Sequence, residues 1–187
     1  MRLIVGISGA SGVIMGYQML KVLRGIPDME IHLVLTDGAA ENFKCETNLK
    51  IEEIVSLADH HHDNKNMAAS ISSGSFKTDG MIVIPCSMKT ASAIASGFAV
   101  NLLIRAVDVC LKENRRVVIV PREMPLSRVH LGNIKEAADN GCVIIPPMLT
   151  FYNDSNSVDK QINHIIGKIL MQFGIDHKDF KPWEGHE

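Results

Sequence analysis

Five short, almost wholly apolar runs, rich in β-branched residues, constrain the fold of this chain more than any other feature of its sequence. They lie at residues 3–7, 31–35, 81–84, 117–120 and 143–145. Strands that are covered by helices on both faces have this composition, whereas a strand with one solvated face alternates polar and apolar residues. The runs therefore predict a parallel sheet with helices on both sides.

Helical patterns separate the apolar runs. The predicted helices lie at about residues 12–25, 38–44, 88–97, 101–114, 127–140 and 158–173. In the fourth of these, Leu102, Ala106 and Val109 share one apolar stripe, and Asn101 precedes it as an N-cap. Strand–helix–strand repeats with short connections form right-handed βαβ units. We therefore expect an α/β protein, a three-layer α/β/α sandwich with a doubly wound, mostly parallel, Rossmann-like sheet.

The length of the chain bounds its domain organisation. Its 187 residues suit one hydrophobic core, so we expect a single domain over residues 1–187, with a short polar tail from about residue 174. Residues 59–79 interrupt the strand and helix pattern, because they are rich in His, Asn, Ser and Gly. A segment of this kind predicts a long loop that is functional or mobile.

The charge balance excludes one large class of partner. The chain carries 19 basic and 21 acidic residues, a formal net charge of −2, so it has no strong positive field to hold nucleic acid in competition with salt. Its longest apolar runs are about six residues, far below the roughly 20 needed to cross a membrane. No signal-peptide pattern is evident, and the four scattered cysteines are expected to be reduced thiols, so we expect a cytoplasmic protein.

A glycine-rich turn follows the first apolar run. Gly6, Gly9 and Gly12 are three residues apart and precede the first predicted helix, whose free backbone amides can bind a phosphate. The spacing differs from the G-x-G-x-x-G of dinucleotide folds, and the Lys-Ser/Thr pair of a P-loop is absent. An ordinary strand-to-helix turn is the alternative interpretation, and Asp37, after the second run, leaves an NAD ribose contact open.

Two further strand ends carry polar residues. Residues 85–90 place hydroxyls and helix-start amides after the third run, although Ser87 or Thr90 can equally be an ordinary helix cap. Arg122 and Glu123 follow the fourth run, either as functional groups or as a surface ion pair. Ligands of an open parallel sheet bind beyond the carboxyl ends of the strands, so these turns together predict one ligand site.

Three other features each have two interpretations. Arg105 and Lys112 are seven residues apart on one helix face, where they can bind one anionic group or simply be solvated. Tyr152 and Trp183 can line a site or pack against the core. Residues 60–62 are consecutive histidines that point in different directions on a regular backbone, so they cannot form a metal site by themselves and we predict none.

In combination these segments resemble the flavin prenyltransferase family, the UbiX and phenolic-acid decarboxylase-associated flavoproteins. The matching segments are residues 9–12 (GASG), 64–75 (NKNMAASISSGS), 85–90 (PCSMKT), 101–108 (NLLIRAVD) and 121–123 (PRE). Any one of them is a weak signal, but their ordered combination is specific and covers most of the chain.

The resemblance implies an activity. In that family dimethylallyl monophosphate donates a five-carbon unit to N5 of reduced FMN, and closure onto C6 completes the prenylated cofactor of UbiD-type aromatic acid decarboxylases. It further implies a large homo-oligomer, a dodecamer, whose sites are shared between subunits. Two alternatives stay open: an FMN-dependent decarboxylase of the related fold, and a non-catalytic FMN-binding subunit of a phenolic-acid decarboxylase.

The resemblance also assigns residues to roles. Contacts to FMN are implied for Gly9, Ala10, Ser11, Thr36, Ser87, Met88, Lys89, Thr90 and Arg122. The prenyl phosphate is expected near Arg105, Lys112, Tyr152 and Lys168, beside Arg122 and Glu123. Glu123, Glu46 and Ser11 are the implied catalytic residues. Cations and a Tyr hydroxyl can stabilise a departing phosphate without a metal, so we expect metal-independent chemistry behind an apolar wall. Lys168 stands where the family often carries arginine, so its phosphate contact is expected to be looser.

Overall fold

The computed structural model describes residues 1–152, 156–183 and 185, and within these ranges six strands form one parallel sheet. The strands are β1 (Arg2–Ile7), β2 (Glu30–Leu35), β3 (His60–Asp63), β4 (Gly80–Cys86), β5 (Arg116–Pro121) and β6 (Cys142–Ile144). Their spatial order is β3-β2-β1-β4-β5-β6, and every neighbouring pair is parallel. The order reverses between β1 and β4, which is the switch point where ligands of such sheets bind.

The helices cover both faces of this sheet. They are α1 (Val13–Arg24), α2 (Asp37–Glu46), α3 (Ile51–Val55), α4 (Met88–Ser96), α5 (Leu102–Lys112), α6 (Arg128–Asp139) and α7 (Val158–Leu170). On β1, Leu3 and Val5 belong to the core that includes residues of α1 and α7, whereas Ile4 belongs to the core that includes residues of α4 and α5. This alternation confirms the predicted three-layer sandwich. None of the described helices is both long and apolar enough to cross a bilayer.

The predicted loop at residues 59–79 is wrong at its start, because His60–Asp63 form the edge strand β3. This strand was missed because an edge strand pairs on one side only, and three of its four residues are exposed. Its composition therefore lacks the apolar run by which the other strands were recognised. The short helix α3 was missed as well, and it buries Ile54 alone.

The rest of that segment is anchored to α5 and to the turn between α5 and β5. Asn64 accepts hydrogen bonds from the amides of Leu102 and Leu103 at 2.8 and 3.0 Å, through its backbone and side-chain oxygens. Arg115 donates to the carbonyl oxygens of Gly74 and Phe76 at 2.6 and 2.9 Å. The segment 64–75, which carried part of the family resemblance, therefore serves a structural role in covering α5.

The tail packs against α7. A Cβ atom at Gly167 would lie 2.4 Å from Phe180 Cδ2, so the absence of a side chain there lets the Phe180 ring reach the helix. The same ring lies 5.0 Å from the ring of His164, measured between centroids. Phe180 in the tail thus adds to the surface around α7.

Candidate functional site

Buried Ser8 ties together the carboxyl ends of β1 and β4. Its hydroxyl donates to the carbonyl oxygen of Pro85 at 3.0 Å, and it accepts a hydrogen bond from the amide of Ser87 at 2.8 Å. Ser8 is 0% exposed, so both hydrogen bonds are shielded from water. The glycine turn and the turn at residues 85–90 therefore have a fixed separation, as expected for two halves of one ligand site.

The turn after β2 lies against the glycine turn. A Cβ atom built on Gly9 would lie 3.0 Å from the Cα of Gly38, so the two backbones approach more closely than side chains would allow. Thr36 caps α2 by accepting a hydrogen bond from the amide of Ala39 at 3.1 Å. Asp37, the residue considered for an NAD ribose, is exposed and lies 3.6 Å from Lys65 Nζ. Gly9 and Thr36 are thus brought to one surface.

The turn at residues 87–90 caps a helix and still presents polar groups. The Ser87 hydroxyl accepts from the amide of Thr90 at 3.3 Å and donates to the Thr90 hydroxyl at 3.0 Å. Thr90 is buried, Met88 is half-buried and Lys89 is exposed. The ordinary capped helix is therefore present, and Lys89 adds a solvent-facing cation beside it.

Glu46 occupies the start of α1. Its Oε2 accepts hydrogen bonds from the amides of Gly12 and Val13 at 2.8 and 3.3 Å. The expectation that these amides are free to bind a phosphate is therefore wrong: they face an anion, but the anion is the Glu46 carboxylate. The contact brings Glu46 to Gly12, the residue that follows Ser11, so two of the three implied catalytic residues lie at one turn.

A cavity of about 820 Å³ opens beside this turn, within the usual range for small-molecule sites. Ser11, Arg122 and Glu123 contribute polar groups to its lining. The amide of Arg122 donates to the carbonyl oxygen of Cys86 at 3.0 Å, and Glu123 Oε1 accepts from the amide of Met124 at 2.9 Å. These bonds hold the end of β5 beside the end of β4, so Arg122 and Glu123 share a cavity with Ser11 as predicted.

The cavity is walled by apolar residues that the sequence did not identify individually. They come from α1, α6, α7 and the segments after β5 and β6, and include Ile14, Met15, Met124, Leu126, Ile134, Met148, Leu149, Ile162 and Ile165. Met124 and Met148 are 86% and 70% exposed, which is unusual for large apolar side chains in one chain alone. The detectable signal was the pair of prolines at 146 and 147 followed by two large apolar residues.

Arg105 and Lys112 do not line this cavity. Arg105 pairs with Asp108 at 2.6 Å and donates to the Ser72 carbonyl oxygen at 3.2 Å. Lys112 pairs with the neighbouring Glu113 and lines a separate cavity of about 300 Å³. Within a single chain, Arg105 and Lys112 therefore do not lie with Arg122 at one phosphate site, contrary to the expectation.

Lys168 lies on α7, and Tyr152 packs against the same helix. The Tyr152 hydroxyl lies 3.4 Å from His164 Nε2, and the Tyr152 ring lies 5.3 Å from the Trp183 ring. Lys168 Nζ lies 5.8 Å from the centre of the Phe180 ring. Burial, with a smaller contribution from Lys168, lowers the pKa of His164. Sequence reasoning missed His164, because a lone histidine on an apolar helix face gave no signal.

Comparison with known proteins places the whole chain among flavoproteins. Residues 1–174 match the Flavoprotein family model. A probable UbiX-like flavin prenyltransferase of Sedimentibacter hydroxybenzoicus is 68% identical over 99% of this chain and 98% of the relative. A dodecameric FMN-dependent UbiX-like decarboxylase of Escherichia coli O157:H7 superposes with a TM-score of 0.96 at 46% identity, covering 99% of this chain and 100% of that one. AnUbiX (PadA1), in complex with FMN and dimethylallyl pyrophosphate, superposes with a TM-score of 0.96 at 45% identity, covering 100% and 98%.

Proposed function

The chain belongs to the UbiX family of flavin prenyltransferases, and from that premise we propose that it transfers a dimethylallyl group from dimethylallyl monophosphate to reduced FMN. A bond from the dimethylallyl group to N5 of reduced FMN would form as the allylic bond to the phosphate oxygen breaks, and closure onto C6 would then release the C6 proton. The product is destined for a UbiD-type aromatic acid decarboxylase. The proposal rests on one cavity, which Ser11, Arg122 and Glu123 line together with apolar residues. It lies beside the two strand-end turns that Ser8 links by hydrogen bonds.

The polar groups of the turns suit FMN in their chemistry. The hydroxyls of Thr36, Ser87 and Thr90 lie at helix starts, and exposed Lys89 adds a cation suited to the FMN phosphate. The close approach of Gly9 to Gly38 joins the glycine turn to the turn that carries Thr36, and the backbone of Gly9 and Ala10 is proposed to contact the flavin there. The turns are thus proposed to hold FMN, with Met88 and Arg122 beside it.

Three residues are proposed to carry the chemistry. Glu123 lies in the cavity lining beside Arg122, where its carboxylate can take or return a proton while the guanidinium stabilises charge on the departing phosphate. Ser11 lies just before α1, where Glu46 accepts hydrogen bonds from the amides of Gly12 and Val13, and both side chains are proposed to orient the reacting edge of the flavin. The apolar wall keeps water from the developing allylic cation.

The remaining phosphate ligands are proposed to come from neighbouring copies. Arg105, Lys112, Tyr152 and Lys168 lie outside the cavity lining of their own chain, on α5 and around α7. The Escherichia coli relative is dodecameric, and exposed apolar residues such as Phe98, Val129 and Phe151 offer surface for contact between copies. We therefore propose a large homo-oligomer, a dodecamer, whose phosphate site is completed across subunits.

The cellular setting is part of the same proposal. A cytoplasmic location agrees with the four cysteines, all of which are free thiols. Nucleic acid is not a proposed partner. Catalysis is proposed to need no metal, because Arg122, Arg105, Lys112 and Lys168 supply the cationic charge that a monophosphate requires.

A single-turnover assay tests the function. The oligomer is incubated anaerobically with reduced FMN and dimethylallyl monophosphate, and the flavin is analysed by mass spectrometry. We expect the mass gain of one five-carbon unit, and no gain with oxidised FMN or without donor. Bound but unchanged flavin would instead support the FMN-binding subunit, and release of carbon dioxide from an aromatic acid by this chain alone would support the decarboxylase.

A further inference from the structure

The strands β2 and β3 carry a cluster of titratable side chains far along the sheet from the cavity. Glu30 and His32 lie two residues apart on β2, so both point to the same face of the sheet. His60 on β3 is the registered partner of His32 and therefore shares that face. Three potential metal ligands thus converge at the sheet edge, near the amino-terminal ends of the strands.

The ligand atoms are close enough for one ion. His32 Nε2 lies 2.9 Å from Glu30 Oε1, His60 Nε2 lies 3.7 Å from the same oxygen, and all three atoms lie within 4.8 Å of one another. Ligand atoms around a tetrahedral zinc ion stand roughly 3.3 Å apart, given bond lengths of about 2.0–2.1 Å. Small side-chain adjustments, mainly of exposed His60, would satisfy that geometry. We propose that Glu30, His32 and His60 form a binding site for a divalent transition-metal ion of the zinc class.

The surroundings of His32 resemble those of a metal-binding histidine. Its other ring nitrogen, Nδ1, lies 2.8 Å from His62 Nε2, and the two rings are stacked with centroids 5.1 Å apart. A metal-bound histidine donates its second N–H to a hydrogen-bond acceptor, which fixes its tautomer, and an unprotonated His62 Nε2 can be that acceptor. With Nδ1–H donated to His62, His32 directs the Nε2 lone pair at Glu30, where the metal replaces a proton between the two groups.

The residue types suit a transition metal. Two imidazoles and one carboxylate suit zinc, cobalt or nickel better than magnesium or calcium, which prefer oxygen ligands. Exposed His60 leaves a coordination position open to water.

Arg2 is the principal competitor of the metal. Its Nε lies 2.8 Å from Glu30 Oε1, and its guanidinium also stacks 4.5 Å above the centre of the Phe76 ring. The carboxylate has two oxygens and several lone pairs, so it can serve a metal and the guanidinium together. Replacing Arg2 by Met is therefore expected to tighten metal binding, since it removes a positive charge next to the site.

The site goes beyond the proposed prenyl transfer and lies apart from it. The lining of the large cavity comes from the turn before α1, from α1, α6 and α7, and from the segments after β5 and β6, and it includes none of the three ligands. A bound ion would link the edge strand β3 to β2 and so stabilise the edge of the sheet. Its removal is expected to lower thermal stability without changing prenyl transfer.

Zinc titration of the oligomeric protein tests the proposal. All variants carry Cys45→Ser, because Cys45 is an exposed thiol that could bind zinc unspecifically. Zinc affinity is measured by competition with a chromophoric chelator, and Co²⁺ spectra report the ligand geometry. We expect one zinc ion per chain, a loss of affinity of at least about 10-fold in His60→Asn and Glu30→Gln, and about 10-fold in His62→Gln.

His61→Asn is the matched control. His61 pairs with Leu33, whose side chain lies in the core on the opposite face of the sheet, so His61 points away from the cluster. The substitution is the same as at His60, one residue away, and zinc affinity should not change. Stoichiometry below one ion per chain, equal affinity in His60→Asn and the parent, or an equal loss in His61→Asn and His60→Asn would each overturn the proposal. Circular dichroism of every variant separates loss of a ligand from loss of fold.

Discussion

The two halves of the proposed active site differ in how completely one chain builds them. On the flavin side, Ser8 joins two strand ends through buried hydrogen bonds, and the glycine turn rests directly on the turn after β2. On the phosphate side, Arg105 and Lys112 are each paired with an acidic neighbour outside the cavity. The difference agrees with the proposal that one chain holds the flavin, whereas the anion of the second substrate is bound by groups from neighbouring copies.

The largest expected effect lies where the two halves meet, at Glu123. If its carboxylate moves protons, Glu123→Gln should slow prenyl transfer by about 10² to 10⁴-fold while FMN stays bound. The amide can still accept the hydrogen bond from Met124, so the local backbone should be unchanged. Single-turnover flavin spectra across donor concentrations measure the rate. A wild-type rate at saturating donor would refute the assignment and leave Glu46 as the better candidate.

A substitution on the flavin side should weaken cofactor binding. Ser87→Leu places a branched side chain in the space between the linked turns. We expect FMN affinity to fall about 100-fold, which corresponds to the free-energy cost of adding side-chain atoms to a well-packed region. Flavin fluorescence titration measures this. Ser87→Ala is the control: it removes the cap of α4, at a cost of about 1 kcal/mol, but leaves the space open. Tight FMN binding by folded Ser87→Leu would show that the flavin lies elsewhere.

A substitution on the phosphate side should leave FMN binding intact. Lys112→Met is expected to raise the half-saturating concentration of dimethylallyl monophosphate roughly 10- to 100-fold, since a charge-assisted hydrogen bond contributes about 1.5–3 kcal/mol. If copies share sites, oligomers reassembled from equal amounts of Lys112→Met and Glu123→Gln chains should regain wild-type sites, about one quarter under random mixing. No recovery in mixtures of verified mixed composition would place Lys112 and Glu123 in the same chain's site.

The smallest expected effect is that of metal removal. Prenyl transfer should proceed at an unchanged rate in excess chelator, because protein cations supply the charge at the phosphate. Metal content is determined in parallel, so that stripping of the cluster at Glu30, His32 and His60 is verified independently. A rate lost on chelation and restored by magnesium would contradict the account of the phosphate side.

Much of the fold was predictable because its strands are buried on both faces. The five apolar runs correspond to β1, β2, β4, β5 and β6, and the turns that follow β1, β4 and β5 do share one edge. The strand β3 was not predictable by the same rule, since an edge strand of three histidines and an aspartate buries too little to need an apolar run.

Less of the site was predictable, because its contacts are long-range. Ser11, Arg122 and Glu123 meet in one cavity as their strand-end positions indicated. The capping of α1 by Glu46 joins residues 34 apart in the chain, and no local pattern encodes such a contact. Similarly, the seven-residue spacing of Arg105 and Lys112 established a shared helix face but could not establish which surface that face meets.

The shortness of the two outermost strands has a consequence for association between copies. The strand β3 has four residues and β6 has three, so neither rim of the sheet offers a long row of unpaired backbone groups. Long, flat, apolar edge strands pair with strands of other chains and lead to aggregation, whereas short, polar edge strands resist it. Copies of this chain are therefore expected to associate through side-chain surfaces on their helices and loops, which keeps assembly finite and leaves the hydrogen-bonded sheet of each copy intact.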